Sequence, residues 1–200
     1  MSDLPSEVPI FALGTVLFPG GVLPLRIFEP RYLDMIKRCM ANGTPFGVCS
    51  IKQGREVGQA AGIRDYGTLA HITDFDLLED GLLGIEARGG ERFEVISSEV
   101  RDDQLIHAQI GPFQREEPAD IPEELHHLGA ITKALLEHVN NDAALVDAQF
   151  EDATWIGFRL AESLPIALEH RQSLLELNDP HQRLYDIAAM VSELMDHNPE

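Results

Sequence analysis

Eight histidines, two cysteines and thirty-four carboxylates are the groups in this chain that could bind a metal or move a proton. Their densest cluster is Glu123-Glu124-Leu125-His126-His127. Glu124 and His127 stand three apart on a predicted helix. One Glu-x-x-His is half of the ligand set that a two-metal helical bundle assembles, and no convincing second half occurs. His-Glu-x-x-His is absent. The cluster reads as a solvated helix start, where acidic residues suit the positive end of the helix dipole. His71 and His107 fall on predicted strands and read as hydrogen-bonded or surface residues. Cys39 and Cys49 are too far apart for a redox pair or a zinc knuckle, so both read as reduced, buried thiols. Lys37, Lys52 and Lys133 do not follow glycine, which removes the Gly-Lys-Ser/Thr phosphate cradle. No Gly-x-Ser-x-Gly elbow marks a serine nucleophile. These residues predict no enzyme activity, no metal and no cofactor.

What remains is binding chemistry. Trp155 and Phe158 widen the apolar stripe of Ala153, Ile156, Leu160 and Leu164 into a second face. A helix apolar on two sides is normally central. The alternative exposes part of both rings in a groove between a barrel and a helical bundle, where aromatics anchor a peptide. Arg26, Glu29 and Arg31 also have two readings. They grip a carboxylate, or they fasten a constrained turn to the core, and the proline-rich context favours fastening. Arg92-Phe93 reads likewise as a local clamp.

These residues need elements to hold them. The segment Phe18-Pro19-Gly20-Gly21 through Pro24-Leu25-Arg26-Ile27-Phe28-Glu29-Pro30-Arg31-Tyr32 specifies a path, because proline restricts itself and its predecessor. Pro30 suits the first position of a helix, which runs through Leu33, Ile36 and Met40 and ends at Asn42-Gly43. Short strands are predicted at Val8–Leu13, Phe46–Ile51, Gly67–Leu78, Leu82–Arg88, Arg92–Val100 and Gln104–Ile110. Asp80-Gly81 and Gly89-Gly90 are the turn signals between them. Such strands suggest a closed or nearly closed antiparallel barrel. Gln114–Pro122 reads as a linker. Four helices should follow: a stripe from Leu125 to Val139, one over about 147–164, one over about 166–177, and one opened by Asp179-Pro180 and continuing through Met195. The predicted division is a barrel over residues 1–115 and a helical bundle over 116–200, an α+β fold.

The same residues carry a family resemblance. The segment from Phe18 to Tyr32 resembles the N-terminal signature of the Lon protease substrate-binding domain family, which also occurs in cereblon and in free-standing bacterial proteins. Further similarities are Gly67-Thr68-Leu69-Ala70-His71-Ile72, Asp80-Gly81, Arg92-Phe93, Leu164-Pro165, Gln172-x-Leu174-Leu175-Glu176 and Arg183-Leu184. Their order spans nearly the whole chain. The resemblance implies a PUA-like β-pseudobarrel with one inserted helix. It makes Phe18, Pro19, Pro24, Arg26, Phe28, Glu29, Pro30, Arg31, Tyr32, Arg92 and Phe93 the family-signature residues, read here as structural. It also implies recognition of unfolded or exposed polypeptide segments, without the ATPase and peptidase parts of the protease.

Composition narrows the partners. Thirty-four acids against fifteen bases give a formal net charge of −19. Such a surface repels phosphate backbones, so nucleic acid is disfavoured and RNA binding rests only on the implied barrel. Basic or neutral partners are favoured. No run of about eighteen apolar residues occurs, and the N-terminus has no signal-peptide pattern, so the expected location is the cytoplasm, away from any membrane. The competing reading is a structural or adaptor protein that acts by docking or as a homodimer.

Overall fold

Apolar residues run almost unbroken through β1 (Glu7–Leu13) because this strand is buried on both faces. Phe11 and Leu13 join one core cluster, while Val8, Ile10 and Ala12 join another. Side chains two apart share a strand face, so one strand feeds both cores. The structure, a computed structural model, describes residues 4–138 and 148–196. It forms two compact units that meet in sequence at Gln114 and Arg115.

The first unit continues with β2 (Val22–Ile27), α1 (Pro30–Asn42), β3 (Phe46–Gln53), β4 (Gly62–Leu77), β5 (Leu83–Val100) and β6 (Ile106–Pro112). The strand order is β2-β5-β4-β3-β1-β6, and β5 also pairs with β6. That last pairing closes a ring of β1, β3, β4, β5 and β6, with β2 outside it. Closure removes free sheet edges from the ring. One core cluster draws side chains from all five ring strands, with Phe93 among them. Gly47 and Gly67 make room for that ring: a Cβ on either would stand 2.8 Å from Phe93 Cζ. The other cluster packs Tyr32, Met35, Ile36 and Cys39 of α1 against the outer face of the strands.

Two departures from the sequence reading have clear causes. The barrel is not antiparallel throughout, since β1 and β3 pair in parallel, Ile10 opposite Gly47. The connection between them contains α1, and such a crossover is what a parallel pair requires. Val22–Ile27 is also a strand where the prolines suggested only a turn. It tolerates Pro24 because it pairs with β5 alone and lies at an edge. The helix limits follow the sequence more closely. Pro30 occupies the first turn of α1, and Gly43 ends it in the left-handed conformation at φ 63°.

In the second unit a 3-10 turn (Glu123–Leu125) precedes α2 (His127–His138), α3 (Ala153–Ser163), α4 (Leu168–Glu176) and α5 (Pro180–Asp196). Asp152 caps α3, its side chain accepting from the Thr154 amide at 2.9 Å. Val139, Asp147 and the Met195 side chain, all used in the sequence reading, lie outside the described residues. The segment read as a linker holds no helix or strand beyond an isolated bridge from Asp120 to Asp152, and it is tied down near that bridge. Ala119 N donates to Asp152 Oδ1 at 3.2 Å, and Ala153 N donates to Ala119 O at 2.7 Å.

Candidate functional site

Arg31 is 7% exposed and fixes three segments. Its guanidinium meets Glu29 Oε2 at 3.0 Å and donates to the Gln104 carbonyl at 2.9 Å and the Glu56 carbonyl at 3.3 Å. It also lies 4.6 Å from the Tyr32 ring centroid, and Tyr32 stacks on Phe11 at 3.8 Å. Burial raises the Tyr32 phenol above its ordinary pKa. The Phe18-Pro19-Gly20-Gly21 turn sits against β5, where Gly20 N donates to Gly89 O at 2.8 Å and Gly89 N donates to Gly21 O at 2.9 Å. Phe18 is fully buried. Arg92 is buried too, with its guanidinium 4.2 Å from the Phe113 ring centroid. Arg26, Pro24, Phe28 and Pro30 differ from these, since all four are exposed. The signature therefore has a buried part and a part that faces solvent.

Of the two aromatics offered as anchors, only Trp155 keeps appreciable exposed surface. It is half-buried and meets Phe150 edge-on, ring centroids 5.3 Å apart. Phe158 is 5% exposed, with the Arg183 guanidinium 4.2 Å from its ring centroid.

The acid and histidine cluster spends its groups locally. Glu124 belongs to the 3-10 turn, not to α2. Its carboxylate accepts from the Tyr185 hydroxyl, which holds the carboxyl below its ordinary range. His127 Nδ1 lies 3.1 Å from the Glu124 carbonyl and His126 Nε2 lies 3.0 Å from the Ile121 carbonyl. Among the described residues no group of three or more His, Cys, Asp or Glu side chains could hold a metal ion. Cys49 is buried, and burial pushes its thiol far above the ordinary range, away from nucleophilic chemistry.

The groove that the sequence reading missed lies on the ladder of β2, β5 and β4. It has a volume of about 730 Å³. Register builds it in two rows. Pro24 pairs with Glu86, which pairs with Asp74, and Arg26 pairs with Gly84, which faces Asp76. Directly opposed residues in an antiparallel pair share a face. Gly84 is the low point between Arg26 and Asp76. A Cβ there would stand 2.9 Å from Leu78 Cδ2, so the missing side chain lets Leu78 fold over the ladder. Pro24 and Leu78 supply apolar lining on that face, and Leu25, Phe75 and Ile85 border the groove from the alternate positions of the strands. Phe75 and the neighbouring Leu77 are 58% and 70% exposed.

The groove's polar lining is acidic: Asp74, Asp76, Glu79, Asp80 and Glu86 against Arg26 alone. Arg26 pairs with Asp80. The Asp80 carboxyl is held below its ordinary range, first by the Leu82 amide and then by Arg26. Asp74 and Asp76 accept from the amides of Phe75 and Leu77 at 2.8 and 2.7 Å, and Thr73 Oγ1 donates to Glu86 Oε1 at 3.2 Å. Those are local bonds and bring no positive charge. The sequence signal was present in Asp74-Phe75-Asp76-Leu77-Leu78-Glu79-Asp80, an alternation read only as a strand entering a turn.

A family model described as the ATP-dependent protease La (LON) substrate-binding domain matches residues 7–193. The chain is similar to a Lon N-terminal domain protein from Xanthomonas campestris. That crystal structure is 35% identical, with a TM-score of 0.77 over 92% of this chain and 98% of that one. It is also 26% identical to a Lon protease of Cytophaga hutchinsonii, over 97% of this chain and 24% of the relative. A Schizosaccharomyces pombe protein named for a LON peptidase N-terminal domain and a RING finger is 24% identical, over 96% of this chain and 46% of its own length. The chain thus spans about a quarter of the bacterial protease and under half of the yeast protein. The domain matched is substrate-binding, not ATPase or peptidase.

Proposed function

We propose that this chain, which belongs to the ATP-dependent protease La (LON) substrate-binding domain family, recognises exposed or unfolded polypeptide segments without acting on them chemically. The observation that carries this reading is the family match over residues 7–193, because the substrates of a protease are polypeptides. Two features of the chain support it. The barrel carries an open groove with apolar lining, and Phe75 and Leu77 are exposed at the alternate positions of the same strand, β4. Both cysteines are free and buried, which suits the reducing cytoplasm.

Recognition of this kind is weak for any one segment, since the segment loses conformational entropy on binding. Titrating a reduced, unfolded model polypeptide against the protein in a fluorescence assay tests the proposal, with the same polypeptide in its folded, disulfide-bonded form as the comparison. The expected result is saturable binding of the unfolded form with a Kd on the order of tens of micromolar. Absence of binding at roughly several hundred micromolar, or equal binding of the folded form, overturns the reading.

A further inference from the structure

We propose that the β2–β5–β4 groove takes an extended polypeptide segment carrying two basic side chains two positions apart, with an apolar residue two positions beyond them. This rests on the polypeptide-recognition reading and gives it a substrate class.

The first argument is charge. Five carboxylates and one guanidinium line the groove, and the guanidinium is engaged by Asp80. Asp74 stands directly opposite Glu86 in the ladder. Like charges in that position work against the sheet. Among the described residues, Asp74 accepts from the Phe75 amide and Glu86 from the Thr73 hydroxyl, both neutral donors. A cationic ligand would relieve a repulsion that the free fold retains.

The second argument is spacing. Asp74 and Asp76 are two apart on one strand, so their carboxylates repeat at about 7 Å along one face. An extended peptide repeats its own side chains at the same interval. Lysines or arginines two positions apart therefore meet both carboxylates at once. The next residue on that side of the peptide falls toward Leu78, two positions past Asp76 and part of the apolar lining, while Pro24 lies across the ladder in the row of Asp74. An acidic segment meets repulsion at both carboxylates, and this gives the groove selectivity as well as affinity.

The test uses the full chain and labelled peptides of one length and one set of apolar residues. These carry lysine, serine or glutamate at the two charged positions. The lysine peptide should bind about tenfold more tightly than the serine peptide at low salt, with the gap closing as salt rises. The glutamate peptide should bind more weakly than either. A D74N/D76N/E86Q variant should remain folded, since it removes a repulsion, and should lose the preference. A D74K/D76K variant should reverse the preference toward the glutamate peptide, an effect that a purely structural role for these aspartates would not produce. Equal binding of all peptides, or a preference unchanged in both variants, overturns the groove assignment and leaves polypeptide recognition standing. If no peptide of any charge binds and the unfolded polypeptide also fails, both readings fall.

Discussion

Arg183 shows how one side chain can organise a helical unit. It is fully buried, and its charge is met by Glu116, whose side chain is 3% exposed. Its Nη1 donates to Glu116 Oε2 at 2.7 Å, its Nε to the Leu174 carbonyl at 2.9 Å and its Nη2 to the Leu177 carbonyl at 2.6 Å. It therefore joins α5 to the end of α4 and to the segment before the 3-10 turn. Gly157 on α3 gives it room, since a Cβ there would stand 3.0 Å from Arg183 Cδ. Removing one partner of such a pair strands a buried charge. Arg183→Met should destabilise the protein by about 3–5 kcal/mol in urea unfolding. Adding Glu116→Gln should recover part of that loss, and a double variant no more stable than the single one would contradict the account. The sequence made Arg183-Leu184 visible as a family match. It gave no sign that Glu116 was the partner, because 67 positions separate the two.

At the scale of elements, β5 is the organising strand. Leu83–Arg88 pairs with β2, and Phe93–Val100 pairs with β6, while β4 accompanies most of its length. Gly89 and Gly90 lie where β5 changes partners. The sequence reading took this pair for a break between two strands. The strand continues through it, and the glycines serve close approach instead. A Cβ on Gly89 would stand 2.2 Å from the Phe18 carbonyl oxygen, a backbone atom that cannot swing aside. Gly89→Ala should therefore cost about 1–3 kcal/mol. Thermal melting of the variant checks this, and an unchanged midpoint would show that the Phe18 turn can move away. β2 was illegible for a related reason. Proline argues against a strand in sequence, and only the sheet order reveals an edge that admits one.

At the scale of the whole molecule, a formal charge of −19 works against compactness through self-repulsion. Added salt screens that repulsion. The melting temperature should rise by roughly a few degrees between low salt and half-molar sodium chloride, as calorimetry can measure. A flat or falling midpoint would mean that attractive ion pairs outweigh the excess negative charge. The sequence by itself determined the helix limits set by Pro30, Gly43 and Pro180, the apolar strand runs, and the α+β family, because these depend on local backbone preference and residue order. Tertiary structure alone decided the parallel β1–β3 pair, the burial of Phe158 under Arg183, and the meeting of Asp74 with Glu86 across from Pro24. Each of these depends on register and packing between distant segments. Sequence lists the groups available, but which of them share a face is fixed only when the strands align.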